Sequence, residues 1–266
     1  MRIGTNTAAM NTYSNLKSAN ASKAGSLAKL SSGLRINKAG DDAAGLSISE
    51  KMKNQISGLS QASRNAQDGI SLIQTAEGGL SETHSILNRM RDLSVQASNE
   101  TNSTEDLKAI DSEMTSLTTE IDRIAKTTKF NGKGLLFDTK AAPDQESKFV
   151  LQIGANTADE DAMTITIADM DKVGLGIDAL EDIITDPAAA NANALLNVDS
   201  IDAAIELVSA QRTSLGANQN RLEHTINNLS TTKENLSEAN SRITDVDMAE
   251  EMTSFTKSNI LAQAAT

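Results

Sequence analysis

Residues 201–243 read IDAAIELVSAQRTSLGANQNRLEHTINNLSTTKENLSEANSRI, and their spacing indicates the architecture of the whole chain. Apolar residues return there at alternating intervals of four and three, from Ile201 and Ile205 through Leu222 to Ile243. This heptad spacing predicts one long helix with an apolar seam that packs against partner helices. Polar residues stand at some seam positions, namely Arg212, Gln219, Lys233 and Asn240. Such residues lower stability but help to fix register and partner.

The same alternation occurs in two earlier stretches, residues 52–87 and residues 107–124. A weaker seam lies between residues 13 and 34. The pair Gly78-Gly79 interrupts the first of these stretches and should weaken its helix, by about 1 kcal/mol per glycine relative to alanine. The segment Asn102-Ser103-Thr104-Glu105 predicts a turn and a helix start.

The middle of the chain has a different pattern. Lys148–Ile153 predicts a strand, and the alternating run Met163–Ile167 predicts its hairpin partner, with a polar link between them. Asn131-Gly132 is typical of a turn. The sequence therefore predicts a mainly α fold, a long antiparallel helical bundle or coiled-coil rod with a small insert, at about residues 130–190, that contains a β-hairpin. A chain that leaves and returns as helix should bring its two ends together.

The composition excludes several classes of protein. The chain has 266 residues, a net charge of −12, 2% aromatic residues, two His and no Cys. Disulfides, thiol catalysis and zinc–thiolate sites are therefore excluded. The acidity argues against a nucleic-acid partner, and no apolar stretch is long enough to predict a membrane span. The N-terminus lacks the apolar core of a cleaved signal peptide.

Charge is distributed unevenly along the chain. Residues 1–40 hold six basic residues and no acidic one, whereas residues 236–266 hold five acidic and two basic residues. Residues 140–190 hold eleven acidic and three basic residues. We expect the oppositely charged ends to pair and the acidic middle to face solvent.

Catalytic and metal-binding motifs are missing. His84 and His224 lie in or beside helical seams, where a packed or surface imidazole is the ordinary role. Gly174-Leu175-Gly176 lacks the third glycine of a dinucleotide loop, and Asp159-Glu160-Asp161 lacks the ligand spacing of a calcium loop. We therefore predict no enzyme activity, no cofactor and no bound metal.

Three segments resemble the signatures of one family. Residues 29–52, KLSSGLRINKAGDDAAGLSISEKM, closely resemble the N-terminal signature of bacterial flagellin. Residues 214–222, SLGANQNRL, and residues 243–252, ITDVDMAEEM, resemble its C-terminal signature. The resemblance extends over residues 1–137 and 195–266, and leaves only the middle unassigned.

This resemblance implies a structural subunit of the bacterial flagellar filament, which polymerises into a helical tube for motility and is secreted to the cell exterior. It implies a terminal helical domain, residues 1–42 plus 236–266, that forms the inner filament core, and a rod domain, residues 43–235. The implied partners are other copies of the chain, a flagellar export chaperone, the type III export apparatus and the filament cap. The residues assigned to the polymerisation core are Leu16, Leu27, Leu30, Leu34, Ile243, Val246, Met252, Phe255 and Ile260.

Two expectations concern the ends of the chain. The terminal helices should be disordered in the monomer and ordered in the filament, because each buries little surface alone. Family members usually continue beyond a stretch such as residues 259–266, so the C-terminal part of the terminal domain is expected to be shortened and polymerisation of this chain to be poor.

A further resemblance concerns innate immunity. Residues 88–96, NRMRDLSVQ, resemble the flagellin pattern that a Toll-like receptor of the host detects. It implies receptor contacts at Arg89, Leu93, Gln96 and Glu113. The competing interpretation is that Leu93 packs inside the protein and Arg89 is simply solvated.

Other functions remain open at this point. A hook–filament junction protein shares the terminal architecture and is the main alternative. A cytoplasmic coiled-coil adaptor would also show heptad seams. A flagellin carrying a protease is excluded, because the chain has no His-Glu-x-x-His motif.

Overall fold

The computed structural model describes residues 6–137, 147–156, 158–178, 180 and 190–264. Five α-helices account for most of these residues: α1 Thr7–Ser32, α2 Ala43–Ala97, α3 Thr104–Thr127, α4 Ala190–Thr244 and α5 Met248–Ala264. The described strands are β1 Lys129–Phe130, β2 Lys133–Gly134, β3 Ser147–Gln152 and β4 Ala162–Ile167, with a 3₁₀ turn at Asp159–Asp161. The predicted mainly α fold with a small β insert is confirmed.

The chain divides into two compact units. One contains the residues up to Ser60 together with those from Ser230 onwards, and we call it the terminal unit. The other, residues 61–229, is the central unit. The division by compactness thus falls inside α2 and α4. The functional division at residues 42/43 and 235/236 rests on the family resemblance and stays a prediction.

Local signals explain where the helices begin and end. The Asn6 side chain accepts a hydrogen bond from Ala9 N at 3.2 Å, and α1 ends at Gly33, whose φ of 71° lies in the left-handed region that glycine adopts without strain. Helix α3 begins with a capping box, in which Ser103 and Asp106 each bond the other's backbone N–H. The predicted helix start at residues 102–105 is therefore confirmed.

The predicted heptad seams form the core of the central unit. Ile201, Val208, Leu215 and Leu222 of α4 are fully buried, as are Ile73 and other apolar residues of α2. Helix α2 continues through Gly78-Gly79 without interruption. A Cβ on Gly79 would lie 2.9 Å from both Leu136 Cδ1 and Thr128 Oγ1, so this glycine permits close packing against the segment that follows α3.

Two hairpins cover this core. In the first, β1 and β2 flank Asn131 and Gly132, whose φ values of 48° and 79° are those of the mirror-image turns that suit tight hairpins. In the second, β3 and β4 pair antiparallel with Phe149 opposite Ile165, which confirms the predicted hairpin. Alternate residues of β4, including Ile165, point into the core, so its alternating sequence reflects one buried face.

Candidate assembly surface of the terminal unit

The two ends of the chain are joined by backbone hydrogen bonds. Leu34 and Asp245 form an isolated antiparallel bridge, flanked by bonds from Arg35 N to Thr244 O at 2.6 Å and from Val246 N to Gly33 O at 3.0 Å. The Arg35 guanidinium also donates to the carbonyl of Ile243 at 2.8 Å. These bonds tie the end of α1 to the turn between α4 and α5, and they confirm that the N-terminal and C-terminal helical segments come together.

Helices α1 and α5 pack against each other through small side chains. The buried residues of these two helices are Ser26, Ser258 and Ala262. Lys23 Nζ donates to Asn259 Oδ1 at 2.8 Å across the pair. Among the described residues no ion pair joins the basic N-terminal segment to the acidic C-terminal segment, so the opposite charges of the ends are not expressed as direct salt bridges.

Large apolar side chains remain on the outside of this pair. Tyr13 is 71% exposed and Ile260 is 60% exposed. Other exposed apolar residues on the two helices are Met10, Leu27, Met252 and Leu261. A groove of about 540 Å³ lies between the helices, lined by Thr12, Asn15, Ser18, Ala19, Ser22, Ser258, Leu261 and Ala264. The α1–α5 pair thus buries little of its own apolar surface, and most of that surface stays exposed.

None of the nine residues assigned to the polymerisation core is fully buried. Three are exposed, namely Leu27, Met252 and Ile260. Six are half-buried, namely Leu16, Leu30, Leu34, Ile243, Val246 and Phe255. Met10 and Leu261 lie outside this set and are also exposed, because a resemblance identifies the segment but does not show which side of a helix faces outwards.

The corner between α1 and α2 is built by the N-terminal signature. The Asp41 carboxylate accepts hydrogen bonds from Lys38 N at 2.9 Å and Asn37 N at 3.1 Å, and these bonds lower the pKa of Asp41. Asp42 accepts from Gly45 N at 2.9 Å and so caps the start of α2. This corner fixes the direction in which the chain leaves α1.

A polar pair inside the terminal unit links α2 to α4. Ser49 is fully buried and its hydroxyl donates to Asn240 Oδ1 at 2.8 Å. Asn240 is one of the polar residues of the α4 seam. Its bond with Ser49 satisfies a buried hydroxyl and specifies the pairing of the two helices at this level.

The residues assigned to receptor contact lie on α2 and α3 of the central unit. Arg89 forms an ion pair with Glu113, with 2.8 Å between nitrogen and oxygen, and both side chains are about half exposed. Gln96 is exposed. Leu93 is only 2% exposed and belongs to the core. The interpretation of Leu93 as a surface contact therefore needs correction, because its position in the motif does not reveal that its side chain packs inwards.

Within the described part of the chain, no cluster of three or more His, Cys, Asp or Glu side chains is arranged to hold a metal ion. None of the described helices combines the length and the apolar character that crossing a membrane requires.

Comparison with known families decides what these two units belong to. A model of the bacterial flagellin N-terminal helical region matches residues 3–141, and a model of the bacterial flagellin C-terminal helical region matches residues 198–266. The chain belongs to the bacterial flagellin family. The two matched regions contain all five helices except the first turns of α4, and the β3–β4 hairpin lies between them.

Individual relatives agree with this assignment. The chain is 51% identical to a flagellin of Bacillus subtilis (strain 168), over 100% of this chain and 94% of the relative. It is 52% identical to a flagellin of Halalkalibacterium halodurans, over 100% of this chain and 93% of the relative. The crystal structure of Bacillus cereus flagellin matches with a TM-score of 0.50 at 35% identity, over 62% of this chain and 88% of that one.

Family membership determines the general role. Flagellins are structural proteins that are exported and form the extracellular flagellar filament, so the chain is a filament subunit and not an enzyme. The expected self-association follows from the same membership.

Proposed function

We propose that the α1–α5 pair is the surface through which copies of this flagellin polymerise. The observation that carries the proposal is the contrast within the pair: small residues such as Ser26 and Ala262 are buried between the helices, whereas Tyr13, Leu27 and Ile260 are exposed. Large exposed apolar surfaces on soluble proteins mark sites of association. A filament requires contacts that do not close into a ring, and a helix pair with apolar groups on both members can contact two different neighbours.

Helices α1 and α5 become ordered in two stages, first by pairing within one subunit and then by contact with neighbouring subunits. Buried apolar area stabilises by roughly 25 cal/mol per Å², and α1 and α5 gain little of it from each other. We therefore propose that the pair becomes rigid only when neighbouring subunits cover its apolar side chains. Amide hydrogen exchange measured for α1 and α5 should be fast in the free subunit and slow in the filament.

Seeded assembly tests the polymerisation surface. Filament fragments are mixed with the full chain, and incorporation is measured by sedimentation and by electron microscopy. Ile260→Ser should sharply reduce incorporation, because it removes an exposed apolar group of the proposed interface. Val173→Ser is the matched control, since Val173 is similarly exposed but lies in the central unit. Equal incorporation of the two variants would contradict the assignment.

We further propose that the exposed ion pair of Arg89 and Glu113, with Gln96, is recognised by a Toll-like receptor of the host. Arg is enriched among the residues that dominate binding energy at protein interfaces. Leu93, which is buried in the core of the central unit, would then hold α2 in place rather than touch the receptor. Arg89→Ala should lose most of the signal in receptor-expressing reporter cells and still fold. Arg123→Ala, which removes an exposed arginine of α3, is the control, and unchanged signalling by Arg89→Ala would overturn the proposal.

Three more partners follow from the resemblance, namely a flagellar export chaperone, the type III export apparatus and the filament cap. The alternative function, that of a hook–filament junction protein, predicts a different assembly. A junction protein would form short rings, so long helical filaments grown from seeds by this chain would argue for the filament subunit.

A further inference from the structure

Asn131 and Gly132 form the tip of the β1–β2 hairpin, and both residues are exposed. They are the only Asn-Gly pair in the sequence. In a two-residue turn the hydrogen bonds of the hairpin are made by the flanking residues, here Phe130 and Lys133. The turn geometry therefore leaves the Gly132 N–H outside the hairpin ladder, and glycine has no side chain to shield its nitrogen.

We propose that Asn131 is a site of spontaneous deamidation, driven by water and base, in the mature protein. The deprotonated backbone nitrogen of Gly132 attacks the side-chain carbonyl carbon of Asn131. A C–N bond forms, ammonia leaves, and a cyclic imide results. Water then opens the imide at one of its two carbonyls, which yields aspartate or isoaspartate at position 131. Either product makes the net charge of the chain one unit more negative than −12.

Two local features favour this chemistry. Lys129 and Lys133 flank the turn and are both exposed, and Coulomb attraction from their positive charges should stabilise the anionic nitrogen and the oxyanion of the attack. The strands that hold the turn are only two residues long, with Lys129 opposite Gly134 and Phe130 opposite Lys133. So short a ladder has few hydrogen bonds to break, so we expect the turn to open locally and give the backbone the freedom that ring closure requires.

The reaction has a structural consequence beyond the turn. Leu135 and Leu136 follow β2 directly and are fully buried in the core of the central unit. Leu135 N donates to Thr128 O at 3.1 Å, and Met170 N donates to Leu136 O at 2.9 Å. Aspartate keeps the length of the turn. Isoaspartate adds a methylene group to the backbone, which shifts the register of the hairpin that holds these two leucines.

Asn102 provides an internal comparison. It lies in the loop between α2 and α3 and is followed by serine, but its side-chain amide donates to Gln96 O at 2.6 Å. The Asn102 side chain is thus held in place, and Cβ of the next residue hinders attack by its nitrogen. Deamidation should therefore occur at Asn131 first and be slower at Asn102.

The test uses the full chain, incubated at neutral and at mildly alkaline pH and then digested for peptide mass spectrometry. Deamidation should accumulate first in the peptide that contains Asn131, faster at the higher pH, with isoaspartate as a product. Lys133→Gln should slow it, whereas Lys148→Gln, which removes a positive charge from β3 instead, should not. The isoaspartate form, isolated by ion exchange, should unfold at a lower temperature than Asn131→Asp. Deamidation at Asn131 no faster than at Asn102 in the folded chain would overturn the proposal.

Discussion

Arg212 of α4 donates a hydrogen bond to Glu77 of α2 across 3.1 Å, and the two residues occupy seam positions of their helices. Their side chains are 34% and 38% exposed, so water screens part of their attraction. Arg212 Nε is buried and has no hydrogen-bond partner within the described structure. The polar interruptions of the two seams therefore meet in space, and they select the register in which α2 and α4 pair.

Replacing one member of this pair should lower the free energy of unfolding more than replacing both. Arg212→Leu leaves the Glu77 carboxylate beside an apolar residue and should lower the free energy of unfolding by about 1 kcal/mol. Adding Glu77→Leu restores a continuous apolar seam and should recover that loss or exceed it. Urea unfolding of the parent chain, the two single variants and the double variant gives a double-mutant cycle, which measures the interaction energy of Arg212 and Glu77.

Arg242→Leu is the control for that cycle, because Arg242 forms a fully solvated pair with Glu238 further along α4. Its effect should stay within about 0.5 kcal/mol. A double variant that loses the sum of the two single losses would show that Arg212 and Glu77 do not interact.

Asp106 makes the stability of the central unit depend on pH. The Ser103 hydroxyl and the Ser103 backbone N–H donate to its carboxylate, and these bonds hold the pKa of Asp106 below its ordinary 3.8. Because the pKa of Asp106 is lower in the folded state than in the unfolded state, its carboxylate stabilises the fold fully above the ordinary pKa. That stabilisation is lost as the pH falls through the pKa of the folded state. The unmodified chain should therefore lose stability more steeply below pH 3.8 than Asp106→Ala does.

Unfolding by urea at a series of acidic pH values provides the measurement. Ser103→Ala should reduce the same pH dependence, because it removes the hydroxyl that makes the largest contribution to the pKa shift. Ser85→Ala, at an exposed position of α2, should leave it unchanged. Parallel stability curves for all three variants and the parent would contradict the role of the capping box.

Leu80 lies one residue beyond Gly78-Gly79 and is completely buried. Leu80→Ala should lower the free energy of unfolding by about 2–5 kcal/mol, because it opens a cavity in the core of the central unit. Val150→Ala on the exposed face of β3 should have little effect. Thermal unfolding of the two variants compares them, and similar melting temperatures would mean that the core does not run through this part of α2.

Much of this fold could be predicted because its signals are local. The heptad spacing from Ile201 to Ile243 and the alternation of Met163–Ile167 each depend on a repeat that the sequence displays directly. The capping box of α3 is equally local. The continuity of α2 through Gly78-Gly79 was less apparent, since it depends on the close packing of Gly79 against Leu136, far away in sequence.

For the candidate surfaces too, the sequence indicates which segment is involved but not which side chains are exposed. The segment that contains Ile260 could be assigned to assembly from the family resemblance, and the structure leaves that residue exposed. Leu93 belongs to a motif of similar clarity, yet it is buried. A motif gives the position of a residue along a helix, whereas burial depends on which neighbouring helix covers that side. The pairing of Arg212 with Glu77 likewise required the register between two helices.

Gly69 and Gly78 are both glycines of α2, and they should respond oppositely to replacement by alanine. A Cβ on Gly69 would lie 2.3 Å from Leu151 Cδ1 and 3.3 Å from Leu222 Cδ1, whereas a Cβ on Gly78 would meet nothing within 4 Å. Gly78→Ala should stabilise the protein by up to about 1 kcal/mol, because alanine is the better helix former. Gly69→Ala should cost about 1–3 kcal/mol, since it pushes Leu151 and the β3–β4 hairpin away from the helix. Adding Leu151→Ala to Gly69→Ala makes room for the new methyl group and should recover part of that loss. Chemical unfolding of the three variants tests this docking of the hairpin, and a stabilising effect of Gly69→Ala equal to that of Gly78→Ala would show that the hairpin yields without cost.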